Sequence, residues 1–301
     1  MIRILGSALA GLAGLAFGSF LNVCLTRWPA GESVVKPRSH CRNCDRTLTW
    51  WENVPLLSWV ALRGRCRTCG AVISRRYAAV EFSVGVLWTT IFWQFASRYT
   101  GIEIVSFSPQ GLAEALLTVS AQMWLVWLLV GLAALDAEHL WLPDAVTLTG
   151  IALGVAVTMA RHQPLVAMGQ VTPSLLLLSL NLAFALLIAA GIILAIRWTY
   201  WLIRRREGIG LGDAKLMAML AAWLGLPGAL LAFVIAVLAG AIVGAAVLLF
   251  PKRSNAETPA LIKLPLGTFL CIGGIVSLFW GSQILSAYLR WAGFNEVSRL
   301  W

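Results

Sequence analysis

An all-α, polytopic membrane fold is what this sequence predicts, and three observations predict it. Mean hydropathy is +0.82, and hydrophobic residues make up 59% of the 301. Charged residues are only 12%, about half the share of roughly 25% usual in soluble domains. Apolar stretches of near-spanning length recur at about 4–25, 78–97, 111–135, 142–160, 174–197, 214–225, 228–250 and 266–289, which gives eight candidate helices.

The elements follow in order. The first stretch carries one Arg and continues into Gly18-Ser19-Phe20-Leu21-Asn22 with no cleavage signal, so it reads as a retained helix. The third ends in Leu135-Asp136-Ala137-Glu138-His139. The fourth opens at Leu142-Pro143-Asp144, where an Asp after Pro sits in the environment of a helix N-cap. The fifth runs toward the cationic Arg204-Arg205-Arg206. Gly225-Leu226-Pro227-Gly228 forms a short turn between the sixth and seventh, and the sixth is short for a span. Gly240, Gly244, Gly273 and Gly274 read as close helix packing rather than a cofactor loop.

Net charge is +10, yet its distribution argues for topology and against nucleic acid as a partner. Ten Arg and Lys fall in 27–76, five lie around 197–215, and Lys252, Arg253 and Lys263 make a third cluster. Eight alternating helices put all three clusters on one side, which therefore holds 18 of the 23 basic residues. The other side keeps Arg3, Arg98, Arg161, Arg290 and Arg299. The positive-inside rule then makes the rich side cytoplasmic and both termini periplasmic. The expected organisation is a first transmembrane helix over 1–26, a polar loop domain over 27–77 and a transmembrane catalytic domain over 78–301, in contact with membrane lipid.

The loop carries Cys41-Arg42-Asn43-Cys44 and Cys66-Arg67-Thr68-Cys69. Two Cys-x-x-Cys knuckles about twenty residues apart have the spacing of a tetrathiolate zinc ribbon. Two disulfides are the alternative, disfavoured on a reducing cytoplasmic face. Zn²⁺ on Cys41, Cys44, Cys66 and Cys69 would be structural, because four thiolates leave no position for a catalytic water. His40, adjacent to Cys41, reads as a solvated loop histidine, with replacement of a thiolate as the alternative, while Cys24 and Cys271 read as small buried apolar residues.

Only 13 carboxylate side chains exist in the chain, so Asp136 and Asp213 stand out, each at the end of an apolar run. An ionisable group at a membrane boundary is a functional-site hypothesis by default. Asp136 closes a helix, where the dipole is unfavourable to a carboxylate and no cap is needed. Asp213 follows Gly210-Leu211-Gly212, whose bare backbone lets a substrate strand approach closely. Of two adjacent carboxylates, one keeps its proton while the other stays basic, and such a pair hydrolyses amides without metal or covalent intermediate. No Gly-x-Ser-x-Gly or His-Glu-x-x-His rival is present. A transporter or proton channel would instead need acidic residues midway along helices.

These features together resemble the prepilin peptidases of bacterial type IV pilus and type II secretion systems. The matching segments are Gly18-Ser19-Phe20-Leu21-Asn22-Val23 with Arg27-Trp28-Pro29, the paired knuckles around Trp51-Glu52-Asn53-Val54-Pro55-Leu56-Leu57-Ser58-Trp59, and Arg76-Tyr77 with Val80-Glu81. Asp136 with Leu142-Pro143-Asp144, and Gly210-Leu211-Gly212-Asp213-Ala214-Lys215, complete the set. The resemblance implies Asp136 and Asp213 as catalytic pair, and prepilins and pseudopilins as substrates cleaved at the cytoplasmic side of the inner membrane. It also implies N-methylation of the new N-terminal residue, usually Phe, by S-adenosylmethionine. Glu52, Asn53 and Glu81 are the polar candidates for the methyl-donor site, with loop capping as their structural alternative. A basic leader must approach a basic face, and Glu138, Asp144 and Glu207 are the acidic residues expected to attract it.

Overall fold

In hydrocarbon a backbone must satisfy its own N–H and C=O groups, so the apolar segments of this chain have only the helix available to them. The computed structural model describes residues 2–99, 109–167, 174–206, 208–249 and 264–294. Among these the order is α1 (Ile2–Arg27), a 3-10 turn (Trp50–Asn53), α2 (Leu57–Ala61), α3 (Arg75–Tyr99), α4 (Pro109–His139), α5 (Asp144–Ala167), α6 (Leu175–Arg204), α7 (Leu211–Leu249) and α8 (Leu266–Trp291). Six helices, α1 and α4 to α8, are long and apolar enough to cross a membrane. The chain is a multi-pass membrane protein.

The sixth and seventh expected segments are the two helices that α7 joins end to end across a kink. Gly225 leaves the helical region there with φ 71°, and Pro227 follows, at the turn that Gly225-Leu226-Pro227-Gly228 marks in the sequence. Neighbours serve the polar groups around the break. Ser277 Oγ donates to Gly228 O at 2.9 Å, and Thr158 Oγ1 donates to Ala222 O at 3.0 Å. Lys252, Arg253, Lys263 and Arg299 lie outside the described residues.

Two compact units divide the chain within α4, at 1–134 and 135–301. In the first, α1 packs on α3 along a glycine seam. A Cβ on Gly14 would stand 2.9 Å from Val84 O, and one on Gly18 would stand 2.8 Å from Glu81 Cα. Trp88 Nε1 donates to Met123 O and Trp127 Nε1 to Phe17 O, which ties the start of α4 to this pair. At the loop end, buried Arg27 donates to Ser33 O and Pro37 O, and Asn22 Nδ2 donates to Tyr77 O.

The second unit is organised on α7, which packs against α5, α6 and α8. Its residues from Asp213 to Ala222 are buried almost without interruption. α6 meets it with a stripe of Leu182, Ala185, Ala189 and Ile193 at helical spacing, while Leu176 and Leu187 on other faces remain exposed. Gly273 is where α8 comes closest, since an added Cβ would lie 2.3 Å from Ala232 O. Gly273→Val should therefore cost about 1–3 kcal/mol by overpacking, read as a lower thermal midpoint in detergent. Gly240→Ala should be neutral or mildly stabilising in the same assay, because its Cβ would meet Phe269 Cδ2 at an ordinary 3.6 Å.

Candidate active site and metal-binding loop

Three chain segments of the second unit bring the two carboxylates together. Asp136 occupies the last turn of α4, which ends as Leu140 takes a left-handed φ of 49° with its N–H on Asp136 O. Asp213 lies in the first turn of α7. Both are buried, at 6% and 8% exposure. A buried carboxylate needs donors, and the N-terminus of α8 supplies them to Asp136. Thr268 donates to its Oδ2 twice, from the backbone N–H at 2.6 Å and from Oγ1 at 3.1 Å. The Gly267 N–H is directed at the same carboxylate.

Glycine is required at 267 by this approach, since a Cβ there would stand 2.9 Å from Asp136 Oδ2. Asp213 Oδ2 accepts from Gly210 N at 3.2 Å, a side chain reaching back to the chain three residues earlier. Leu142 is packed between the two. It would lie 3.0 Å from a Cβ on Gly212 and 3.0 Å from one on Gly267. The carboxylates stand within electrostatic reach of each other, and Cys271 is buried one turn further along α8. Arg197 of α6 holds the loop before the motif by donating to Ile209 O.

In the first unit, the Sγ atoms of Cys41, Cys44, Cys66 and Cys69 lie within 4.8 Å of one another, and all four cysteines are free. Cys41 and Cys69 Sγ are 3.7 Å apart, close to the roughly 3.8 Å edge of a tetrahedron with 2.3 Å metal–sulfur bonds. A disulfide would need about 2.05 Å. The two knuckles repeat one another. Cys41 N donates to Arg46 O and Cys66 N to Ala71 O, while Asp45 N returns to Cys41 O and Gly70 N to Cys66 O. Asp45 and Gly70 take the same positive φ, 52° and 69°, and flanking bridges pair His40 with Thr47 and Arg65 with Val72. Backbone N–H groups of Cys69 and Thr68 point at the Cys66 sulfur and pull its thiol down to about 6. The Cys69 thiol is lowered likewise by the Ala71 N–H. Against the Arg46 N–H, burial and the neighbouring sulfurs push the Cys44 thiol the other way, up to about 11. The four converging sulfurs can hold a metal ion; His40 lies outside them, with Nδ1 on Arg38 O.

Comparison with known proteins follows both units. Residues 12–95 match the bacterial peptidase A24 N-terminal domain, and residues 123–245 match the type IV leader peptidase family. A prepilin leader peptidase/N-methyltransferase of Stutzerimonas stutzeri is 34% identical, with 93% of this chain and 92% of that protein covered. Proteins of the same description from Pseudomonas aeruginosa and Xanthomonas campestris are each 33% identical. They cover 94% and 96% of this chain, and 93% and 96% of their own lengths. The chain belongs to the type IV leader peptidase family. It is an enzyme of that family. No solved structure matches it.

Other polar residues of this family member are placed as follows. Glu52 is buried with both oxygens engaged, Oε1 by Arg46 and Oε2 by Thr49 N and Oγ1. Glu81 Oε2 accepts the N–H of Leu56, whose φ of 59° turns the chain, and Asn53 is exposed. Asp144 opens α5, and its carboxylate goes to Lys215 Nζ at 2.5 Å, two residues beyond Asp213. Glu138 is 3.9 Å from His139, and Glu207 lies outside the described residues. Sequence reasoning missed Thr268, Gly267 and Leu142. Pro265-Leu266-Gly267-Thr268 at the head of an apolar run is a helix-start signature that marks a cluster of free N–H donors.

Hydrogen bonds from Arg46 and from Thr49 hold the Glu52 carboxyl down at about 2, against 4.5 ordinarily. A lowered carboxyl stabilises the loop above the ordinary value and loses that contribution as pH falls toward 2. Glu52→Gln should remove the charge-assisted bonds at every pH, costing about 1–3 kcal/mol. Limited proteolysis within 27–77 is the readout, and wild-type resistance would show that the loop does not depend on this residue.

Proposed function

We propose that the chain removes the basic leader from prepilins and pseudopilins at the cytoplasmic face of the bacterial inner membrane, then N-methylates the new N-terminal residue, usually Phe. The reading is carried by one observation, two buried carboxylates from separate helices within reach of each other. Proteolysis and methyl transfer are both in the names of the relatives. Residues 1–26 are a transmembrane helix, 27–77 the metal-binding loop and 78–301 the peptidase domain. Both termini are periplasmic.

The ionised member of the pair takes a proton from water as it attacks the scissile carbonyl. The protonated member polarises that carbonyl and then protonates the leaving amine. Gly210 and Gly212 beside Asp213 leave the backbone bare for an extended substrate strand. Cys41, Cys44, Cys66 and Cys69 hold one structural Zn²⁺, closed by four thiolates and therefore outside the hydrolysis. S-adenosylmethionine supplies the methyl group. Glu52 does not fit its site, having both oxygens engaged within the loop, and Asn53 and Glu81 remain the candidates near that loop.

Intact mass of a prepilin incubated with the solubilised protein, with and without S-adenosylmethionine, tests the scheme. Asp136→Asn and Asp213→Asn should each lower leader removal by at least about 100-fold, the loss expected for a general acid or base. Asp144→Asn should lose far less, because its partner is an exposed lysine. Near wild-type cleavage by Asp136→Asn would overturn the pair.

Elemental analysis should find about one zinc per chain. Cys66→Ser with Cys69→Ser should lose the metal and unfold the loop, since metal binding supplies much of such a module's folding free energy. The expected mass record is leader lost and no methyl gained. Equal loss of both activities would mean that the loop also positions the prepilin.

A further inference from the structure

Resting on the carboxylate pair, we propose that Thr268 is the positioning residue that fixes Asp136 as the base of that pair. The two carboxylates are held unequally. Asp136 Oδ2 takes the backbone N–H and the hydroxyl of one residue, at 2.6 and 3.1 Å, with the Gly267 N–H directed at it as well. Asp213 Oδ2 takes one backbone N–H, from Gly210 at 3.2 Å. All these groups donate, so they suit an oxygen that bears charge rather than one that bears a proton.

Geometry adds a second constraint. Two bonds from one residue, a backbone donor and a side-chain donor on one oxygen, fix the carboxylate's rotation as well as its place. Gly267 allows α8 to come this close, since a Cβ there would lie 3.0 Å from Asp136 Cγ and 3.0 Å from Leu142 Cδ1. With Oδ2 committed to α8, Oδ1 is the oxygen left to take a proton from water. Asp213, held by one longer bond, is left to carry the proton that polarises the carbonyl and passes to the leaving amine. Each hydrolysis leaves the proton from water on Asp136 and removes one from Asp213, so a proton passes from Asp136 back to Asp213 before the next turnover. Without its hydroxyl, residue 268 keeps the backbone bond but loses the lock on rotation.

The test is steady-state cleavage of a prepilin by the full-length protein in detergent, with variants at 268. Thr268→Val keeps the shape and removes the donor. Loss of one hydrogen bond to a charged group should lower kcat about 10- to 100-fold with KM unchanged within about 2-fold. Thr268→Ser restores the hydroxyl and should return kcat to within about 3-fold of wild type. If Val lowers the thermal midpoint, Thr268→Ala gives the same comparison without the added methyl. Wild-type kcat in Val and Ala would overturn the proposal, and so would a Ser variant as slow as Val, which would mean packing. Asp136→Asn keeps the outcomes separate. An inactive Asp136→Asn beside a normal Thr268→Val sinks the role of Thr268 alone, whereas an active Asp136→Asn sinks the pair on which it rests.

Discussion

A carboxylate buried at the C-terminal end of an apolar helix faces the wrong end of that helix's dipole and has lost most of its hydration. Asp136 escapes by ending on the N-terminus of a different helix. The first turn of α8 has N–H groups without intrahelical partners, and two of them, with the Thr268 hydroxyl, meet the carboxylate. The interaction serves both partners, since an orphaned helix start and an orphaned anion each satisfy the other. Much of the local sequence follows from it. Residue 267 must be glycine for the approach, and Leu142 must fill the space behind, where it also meets Gly212.

Asp213 meets the same problem with fewer resources. It stands in the first turn of its own helix, where the dipole is favourable, and needs only the Gly210 N–H to close the turn. Its helix then runs through the second unit, with α5, α6 and α8 packed on it. The break at Gly225 separates the helix that opens at the site from the one that follows, and Ser277 and Thr158 serve the carbonyls near the interruption.

Much of this was legible in the sequence because composition and spacing carry it. The apolar runs gave the helices, and Gly225-Leu226-Pro227-Gly228 marked the kink where two of them meet, because a left-handed glycine followed by Pro cannot continue a helix. Paired Cys-x-x-Cys spacing gave the four-sulfur cluster, since each knuckle is a local turn. Glu52 read as a candidate for the methyl-donor site with loop capping as the alternative. Thr49 and Glu52 stand three apart in a capping-box pattern, and with Arg46 six residues earlier they engage both carboxylate oxygens locally. Thr268 was not legible in this way. Threonine at a helix start is ordinary, and only the partner that reaches it, 132 residues earlier in the chain, makes it particular.

Charge shows the same limit of local reading. Asp144 looked like a helix cap and a source of attraction for a basic leader, yet it spends its oxygen on Lys215. The pair is exposed, 33% on the lysine side chain and 63% on the aspartate. An exposed pair contributes only about 0.2–1 kcal/mol. Its effect on stability is therefore small, and its consequence lies in what Asp144 can offer a basic leader: one of its carboxylate oxygens already faces the Lys215 ammonium.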